Sequence, residues 1–272
     1  MRPLACVMGD MDLLAPLGRA GIPCVAVAPP GSPPTLSRFA RATIPRPKGC
    51  APDALLDALR RFGAAQPVKP VLYVQDDDAL LLASRHRALL APFFRLPLAD
   101  AALVEALVDK ARFAALAARH DLPAPATRGP DEADGALRFP VIVKPLMRDA
   151  AWPDAAKALR ADTPDMLRAL RCRHGQALLV QELIPGPETR IESHHVYVDA
   201  TGAIAAEFTG RKIRTWPAAF GHSTAVEITD APDVAALGRR VVRALGLRGV
   251  AKLDIKRGPD LSLIHISEPT RL

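Results

Sequence analysis

The sequence predicts an α/β protein, and three observations support this fold class. In about the first hundred residues, short apolar segments alternate with segments whose leucines recur at helical spacing. Turns rich in proline and glycine separate these segments, and the stiff loop over Pro29–Pro34 is the clearest of them. The apolar segment Val71–Val74 runs directly into Gln75–Asp78, and polar residues at the carboxyl end of a strand are typical of open α/β sheets that bind ligands.

The elements of this first region follow one another as strands and helices in turn. We predict strands over Leu4–Met8, Cys24–Ala28 and Val71–Val74. We predict helices where apolar residues recur every three or four positions, through Leu13, Leu14 and Leu17 and again over Asp53–Phe62. Because acidic side chains are favoured helix N-caps, we expect at least one of Asp76, Asp77 and Asp78 to begin a further helix.

A second region begins near Ala101 and has the mixed pattern of an α+β unit. Its first element is a long helix over Ala102–His120, which the proline at 123 cannot continue. Two antiparallel strands joined by the turn Asp199–Gly202 are predicted as a hairpin. The other predicted elements are strands over Val141–Val143, Ala177–Gln181 and Val250–Ile255 and helices over Pro164–Cys172 and Val234–Leu245.

Composition excludes several classes of protein. The net charge of +7 comes from 36 basic and 29 acidic residues, but the arginines are spread along the chain and aromatic residues are few, so we expect no nucleic-acid partner. No apolar run approaches the roughly 20 residues that span a bilayer, and Met1–Asp10 makes a poor signal peptide. The four cysteines lack metal-ligand spacing. We therefore expect a cytoplasmic protein with reduced thiols and no membrane partner.

Four segments carry the residues that bear on chemistry: Leu107–Lys110, Phe139–Pro145, Leu179–Glu188 and Gly249–Arg257. Their order and spacing resemble the ATP-grasp superfamily of ATP-dependent carboxylate ligases. The resemblance implies a Rossmann-like pre-ATP-grasp domain over residues 1–100 and an ATP-grasp domain over residues 101–260. It also implies ATP and Mg²⁺ as cofactors and a small-molecule carboxylate and amine as substrates. The carboxylate would be activated as an acyl phosphate, which the amine or another nucleophile attacks.

The resemblance gives Lys110 and Lys144 to the nucleotide phosphates. Lys144 ends an apolar strand, where a buried stem can hold its ammonium in place. The alternative is a pair of ordinary surface lysines.

The segment from Gln181 to Glu188 resembles the hinge that binds adenine. The family pattern gives Gln181, Glu182, Leu183 and Ile184 to the base, partly through their backbone groups. It gives Glu188 to the ribose hydroxyls, because a carboxylate can accept two hydrogen bonds. The alternative is a strand that ends in a Pro-Gly turn with both glutamates solvated.

Asp254 lies on an apolar strand, and an inward carboxylate there requires a partner because an unpaired buried charge is costly. The resemblance implies that Asp254 binds magnesium and that Lys252 holds the transferred group. The alternative is an Asp–Lys ion pair. Arg214, in the basic run that includes Arg211 and Lys212, is assigned to the substrate carboxylate or phosphate, with a solvated charged strand as the alternative.

The chain departs from the family pattern in two places. The loop over Met147–Pro153 contains no glycine, although the family carries a flexible, often glycine-rich loop between the second lysine and the hinge. The return strand with its Glu-x-Asn metal ligands is absent, and residues 261–272 resemble a translated sequencing adapter. We therefore expect a truncated ATP-grasp fold with little or no ligase activity. The alternative function is a non-catalytic, nucleotide-binding regulatory module.

The adjacent histidines His194 and His195 are interpreted as structural, since neighbours on a strand point to opposite faces.

Overall fold

A computed structural model describes residues 3–129, 137–146, 158–175 and 178–265 of the chain. It is an α/β structure with one parallel and two antiparallel sheets in these ranges, as the sequence predicts. The glycine-free loop over Met147–Pro153 lies outside the described residues. None of the helices in the described ranges is both long enough and apolar enough to cross a bilayer.

The first sheet contains four parallel strands in the order β3-β2-β1-β4. The strands are β1 (Ala5–Met8), β2 (Cys24–Ala28), β3 (Ala40–Pro45) and β4 (Val71–Val74), and the helices between and after them are α1 (Met11–Arg19), α2 (Pro52–Ala64), α3 (Asp77–Arg85) and α4 (Arg87–Leu90). Strands β1 and β2 are buried along their whole length, which explains their continuous apolar sequence. The expected N-cap is Asp76, whose carboxylate accepts a hydrogen bond from the backbone N–H of Ala79 at 2.7 Å.

The long helix predicted over Ala102–His120 is wrong, because two helices meet at Asp109. Helix α5 covers Ala101–Val108 and α6 covers Lys110–Arg119. Asp109 has an extended backbone, and its carboxylate accepts hydrogen bonds from the N–H groups of Ala111 at 2.9 Å and Arg112 at 3.0 Å. The aspartate therefore competes with the helical ladder and begins a new helix. As a result, Lys110 is the first residue of α6.

The second sheet is antiparallel, with the strand order β5-β8-β6-β7. Its elements are β5 (Thr127–Arg128), β6 (Val141–Pro145), β7 (Leu159–Ala161), α7 (Pro164–His174) and β8 (Leu178–Glu182). Val141, Val143 and Val180 of the central strands are fully buried and pack with Leu167 of α7. Because β6 and β8 are antiparallel, Gln181 lies opposite Ile142, and its side chain is diagonally adjacent to that of Lys144 on the same face.

The third sheet is also antiparallel, with the strand order β11-β10-β9-β12-β13. Its elements are β9 (Ile191–Val198), β10 (Ile204–Trp216), β11 (His222–Thr229), α8 (Pro232–Leu245), β12 (Gly249–Arg257) and β13 (Leu263–His265). The predicted hairpin is confirmed, and its turn is held by the Asp199 carboxylate, which accepts hydrogen bonds from the backbone N–H groups of Thr201, Gly202 and Ala203. One face of this sheet packs its apolar side chains against α5, α6 and α8.

Helix α8 lies unusually close to the third sheet. A Cβ atom added at Gly238 would stand 2.1 Å from Nδ1 of His194, and His194 is completely buried. The imidazole Nε2 is 2.9 Å from Glu207, which also binds Arg239 through its carboxylate. His194 therefore belongs to the helix-covered side of the sheet, as its structural interpretation predicts.

Candidate functional site

The opposite face of the third sheet carries a group of charged side chains. Lys252, Asp254 and Lys256 alternate along β12 and therefore point to the same side of the sheet. On the neighbouring strand, His195 lies opposite Lys252 and Ser193 lies opposite Asp254. The set of Lys212, Lys252, Asp254, Lys256 and Glu188 is called the charged face below.

Asp254 forms the centre of the charged face. Its Oδ1 is 2.8 Å from Nζ of Lys252, and its Oδ2 is 3.2 Å from Nζ of Lys212. Oδ1 is buried and, among the described residues, has no partner that meets hydrogen-bond geometry, so Lys252 contacts it as an ion without a well-aligned hydrogen bond. Burial alone would raise the pKa of the Asp254 carboxyl, but Lys252 and Lys212 outweigh that effect and lower the pKa to about 2. The carboxylate is therefore ionised throughout the physiological pH range.

Two of the three lysines of the charged face are buried. Lys212 on β10 and Lys256 on β12 are 6% and 5% exposed. Nζ of Lys256 is 3.7 Å from Oε1 of Glu188. Burial lowers the pKa of Lys256, and the nearby Glu188 carboxylate opposes this shift. Ammonium groups held away from water in this way interact strongly with any anion that reaches them.

His195 lies beside the charged face, opposite Lys252, rather than in the core. Its Nε2 is 3.0 Å from the hydroxyl of Ser193, and its ring stacks on Phe208 with centroids 4.4 Å apart. Burial, reinforced by the charge of Lys252, lowers the pKa of His195 to about 4, so the imidazole is neutral near pH 7. Phe208 and Tyr197 are exposed beside it. The interpretation of both histidines as structural therefore missed the contribution of His195 to the open face, although the alternation of a strand predicts that the two rings diverge.

A second group of predicted site residues lies on the second sheet. Nζ of Lys144 donates to Oε1 of Gln181 at 3.0 Å, and Nε2 of Gln181 donates to the hydroxyl of Thr127 at 2.9 Å. Gln181 is 9% exposed. This chain of hydrogen bonds crosses three strands and fixes the direction of the Lys144 side chain.

The hinge after Gln181 has most of its backbone donors already engaged. The N–H of Glu182 donates to Ala126 at 2.9 Å and the N–H of Leu183 donates to Pro140 at 3.2 Å. Ile184 follows them, and in the described part of the chain its N–H has no hydrogen-bond partner. The hinge thus presents a backbone donor at Ile184 that a ligand can bind.

Two predicted site residues stand apart from both groups. Lys110 is half-buried at the start of α6. Arg214 is exposed on β10, and its Nε donates to the hydroxyl of Thr224 on β11 at 3.0 Å. The structure brings together Lys252 with Asp254 and Lys144 with Gln181, and it adds Lys212 and Lys256 as partners of Asp254 and Glu188. The sequence signals for those two lysines were the basic run around Arg211 and the period of two from Asp254.

Two concave regions lie elsewhere on the described surface. One of about 270 Å³ borders the first sheet near Leu4 and Tyr73. The other, of about 640 Å³, lies between the β9–β10 turn and the end of α8, where it is lined by Arg239, Arg243 and Arg248. Neither contains a predicted site residue. The candidate site is therefore the charged face together with the hinge, where most of the predicted site residues lie.

No protein-family model matches the chain. Among curated proteins, it is 23% identical over 211 residues to the D-aspartate ligase of Enterococcus faecium, covering 70% of this chain and 50% of the ligase. The chain thus spans about half the length of the curated relative it matches.

Solved structures with the same fold include a ligase, a carboxylase and a synthetase. The L-amino acid ligase from Bacillus licheniformis matches with a TM-score of 0.70 and 16% identity over 98% of this chain and 66% of its own. Biotin carboxylase from Campylobacter jejuni, in complex with β-γ-ATP, matches with a TM-score of 0.72 and 12% identity. The match covers 100% of this chain and 66% of the carboxylase. The N5-carboxyaminoimidazole ribonucleotide synthetase of Thermus thermophilus matches with a TM-score of 0.67 and 17% identity. The match covers 97% of this chain and 70% of the synthetase.

These likenesses define the fold. The chain has the fold of ATP-grasp ligases, as the resemblance of its four segments predicts. Several proteins with this fold were solved with ATP or ADP bound.

Proposed function

We propose that the protein binds ATP between the hinge and the charged face and uses it to activate a carboxylate as an acyl phosphate. The observation that carries this proposal is the buried Asp254 carboxylate, held between Lys212 and Lys252 on the open face of a sheet. Among the described residues, three buried or half-buried ammonium groups face only two carboxylates on this surface. An excess of buried positive charge is suited to a polyanion such as a triphosphate.

In the reaction, a substrate carboxylate oxygen attacks the γ-phosphorus, the bond from that phosphorus to the β–γ bridging oxygen breaks, and ADP leaves. An amine then attacks the acyl carbon, the carbon–oxygen bond to phosphate breaks, and the amine nitrogen loses a proton. Negative charge accumulates on the transferred phosphoryl oxygens in the first step. Lys252 and Lys212 would hold those oxygens, since preorganised charges cost no reorganisation when the reaction occurs.

The nucleotide would be held by groups on both sheets. The N–H of Ile184, with the neighbouring hinge residues Gln181, Glu182 and Leu183, would bind the base, and Glu188 would accept hydrogen bonds from the ribose. Lys144, aligned by Gln181, would reach the phosphates, with Lys110 as its companion. We place residues 1–100 in a pre-ATP-grasp domain and residues 101–260 in the ATP-grasp domain, in the cytoplasm where ATP is available.

Magnesium fits this site only as a partner of the nucleotide. Within the described residues no group of three His, Cys, Asp or Glu side chains could hold a metal ion. Mg²⁺ is commonly bound by one or two carboxylates together with substrate phosphates, and Oδ1 of Asp254 is the buried oxygen noted above that lacks a well-aligned hydrogen bond. Asp254 would therefore be the protein ligand, and the metal would neutralise charge between the phosphates.

The substrates belong to the amino-acid class in this proposal. The relatives named above include a D-aspartate ligase and an L-amino acid ligase. An amino acid supplies a carboxylate to activate or an amine to attack it. Arg214 on β10 is exposed, and its guanidinium is suited to a carboxylate.

The test measures ADP release by the purified protein with Mg²⁺, ATP and a panel of amino acids. Activity that depends on an amino acid, and that falls at least about 100-fold in Asp254→Asn and Lys212→Met, supports the proposal. Lys48→Met is the matched control because Lys48 is exposed and distant in sequence from every site residue. Nucleotide binding without ADP release for any pair of substrates would count against the proposal, since it is the result expected both of the regulatory module and of a chain with little or no ligase activity.

A further inference from the structure

Lys256 is a buried lysine to which the proposed chemistry gives no role. It is 5% exposed, at the end of the charged face furthest from Lys252 on β12. Its ion partner is Glu188, and the separation of 3.7 Å is long for a hydrogen bond. Glu188 is the residue expected to bind ribose. The position of that carboxylate is therefore linked to a lysine on another element.

The segment that carries Glu188 joins the hinge to the third sheet. Pro185, Gly186 and Pro187 are exposed, and Gly186 has a φ of 116°, which only glycine adopts readily. The short 3-10 helix Glu188–Arg190 that follows leads directly into β9, which begins at Ile191, and two side-chain contacts also connect it to the third sheet. Lys256 contacts Glu188, and Nη1 of Arg190 donates to the carbonyl of Gly258 at 3.4 Å. Of these two contacts, the one with Lys256 acts on the Glu188 carboxylate itself.

We propose that Lys256 is a positioning residue that fixes Glu188 against the ribose and thereby makes the site selective for ribonucleotides over 2′-deoxyribonucleotides. The inference rests on the proposed nucleotide-binding function. With Lys256 beside Oε1, the second oxygen of Glu188 remains available to accept a ribose hydroxyl. A 2′-deoxyribonucleotide offers one hydroxyl fewer and leaves part of a charged acceptor unpaired, which costs affinity.

The experiment compares the affinities of ATP and 2′-deoxy-ATP by calorimetry, using the full chain. We expect the wild-type protein to prefer ATP about ten-fold or more, the value of one hydrogen bond to a charged group. Lys256→Met conserves side-chain length and apolar volume. In this variant the preference for ATP over 2′-deoxy-ATP should fall to about two-fold, and most of the change should be a loss of affinity for ATP. The control variant Lys48→Met should retain the wild-type ratio.

Three other outcomes overturn the inference in distinguishable ways. If Lys256→Met weakens both nucleotides equally, Lys256 contacts the phosphates or acts only through stability. If Lys256→Met keeps the wild-type preference for ATP over 2′-deoxy-ATP, the position of Glu188 does not depend on Lys256. If the wild-type protein binds neither nucleotide, the proposed function itself fails. If Lys256→Met does not fold, Lys256→Arg is the second test variant, because it retains the charge but displaces the Glu188 carboxylate. Its ratio of ATP affinity to 2′-deoxy-ATP affinity should fall below that of the wild type. Its circular dichroism spectrum should be unchanged.

Discussion

Replacing Asp254 with asparagine should destabilise the protein by about 3 kcal/mol, even though the two side chains have nearly the same shape. The variant leaves the ammonium groups of Lys212 and Lys252 without the carboxylate that lies 3.2 Å and 2.8 Å from them. The pKa of about 2, against an ordinary value of 3.8, corresponds to a preference of about 2 kcal/mol for the charged carboxylate in the folded protein. The two unpaired lysines add to that cost because Lys212 is only 6% exposed.

The assay is urea unfolding at pH 7, followed by circular dichroism, for the wild type, Asp254→Asn, Lys212→Met and the double variant. In the Lys212→Met background, the cost of Asp254→Asn should fall by at least about 1 kcal/mol, because one of the two stranded charges is gone. The difference should persist at high salt, since buried pairs are weakly screened. An Asp254→Asn variant as stable as the wild type would refute the pairing. So would equal costs in the two backgrounds.

Three further outcomes are expected. Gly238→Ala should lower the free energy of unfolding in urea by about 2 kcal/mol, because the new Cβ would lie 2.1 Å from the buried ring of His194. An unchanged urea midpoint would contradict the close approach of α8 to the third sheet. Because the pKa of His195 is lowered to about 4, its unfolded form binds more protons between pH 4 and 6.5, and stability rises with pH in that window. Between pH 7 and pH 5 the wild type should lose about 2 kcal/mol more than His195→Gln, and parallel losses would refute this. Mg²⁺ alone should leave the midpoint of thermal unfolding unchanged, since a lone cation at Asp254 would face two ammonium groups. Mg²⁺ together with ATP should raise the midpoint. A rise with Mg²⁺ alone would argue against two ammonium groups beside Asp254.

Much of the fold could be predicted because its buried strands are continuous or regular in sequence. Strands β2 and β4 begin and end where their apolar runs do. Strand β3 could not be predicted, since it lies at the edge of its sheet and only Ile44 is buried. The break at Asp109 was also hidden, because a helix-compatible composition continues on both sides and only the capping geometry distinguishes one helix from two.

The candidate site was predictable in its residue types but not in its pairing. Alternation along β12 is enough to place Lys252, Asp254 and Lys256 on one face. The contact between Lys256 and Glu188 joins two segments far apart in sequence, and it depends on how the hinge packs on the third sheet. No periodicity within either segment contains that information.

The choice between Lys212 and Arg214 shows why pairing requires the structure. A regular strand would point both side chains to the same face, so the sequence offered no reason to prefer one of them. In the structure the register of β10 against β11 shifts between these two residues, and Ile213 is left exposed at the irregularity. Lys212 consequently turns inward to Asp254, while Arg214 turns outward to Thr224. An irregularity in the pairing of β10 with β11 on both sides of Arg214, invisible in the amino-acid pattern, thus separates the cation that reaches the carboxylate at the centre of the site from the one that does not.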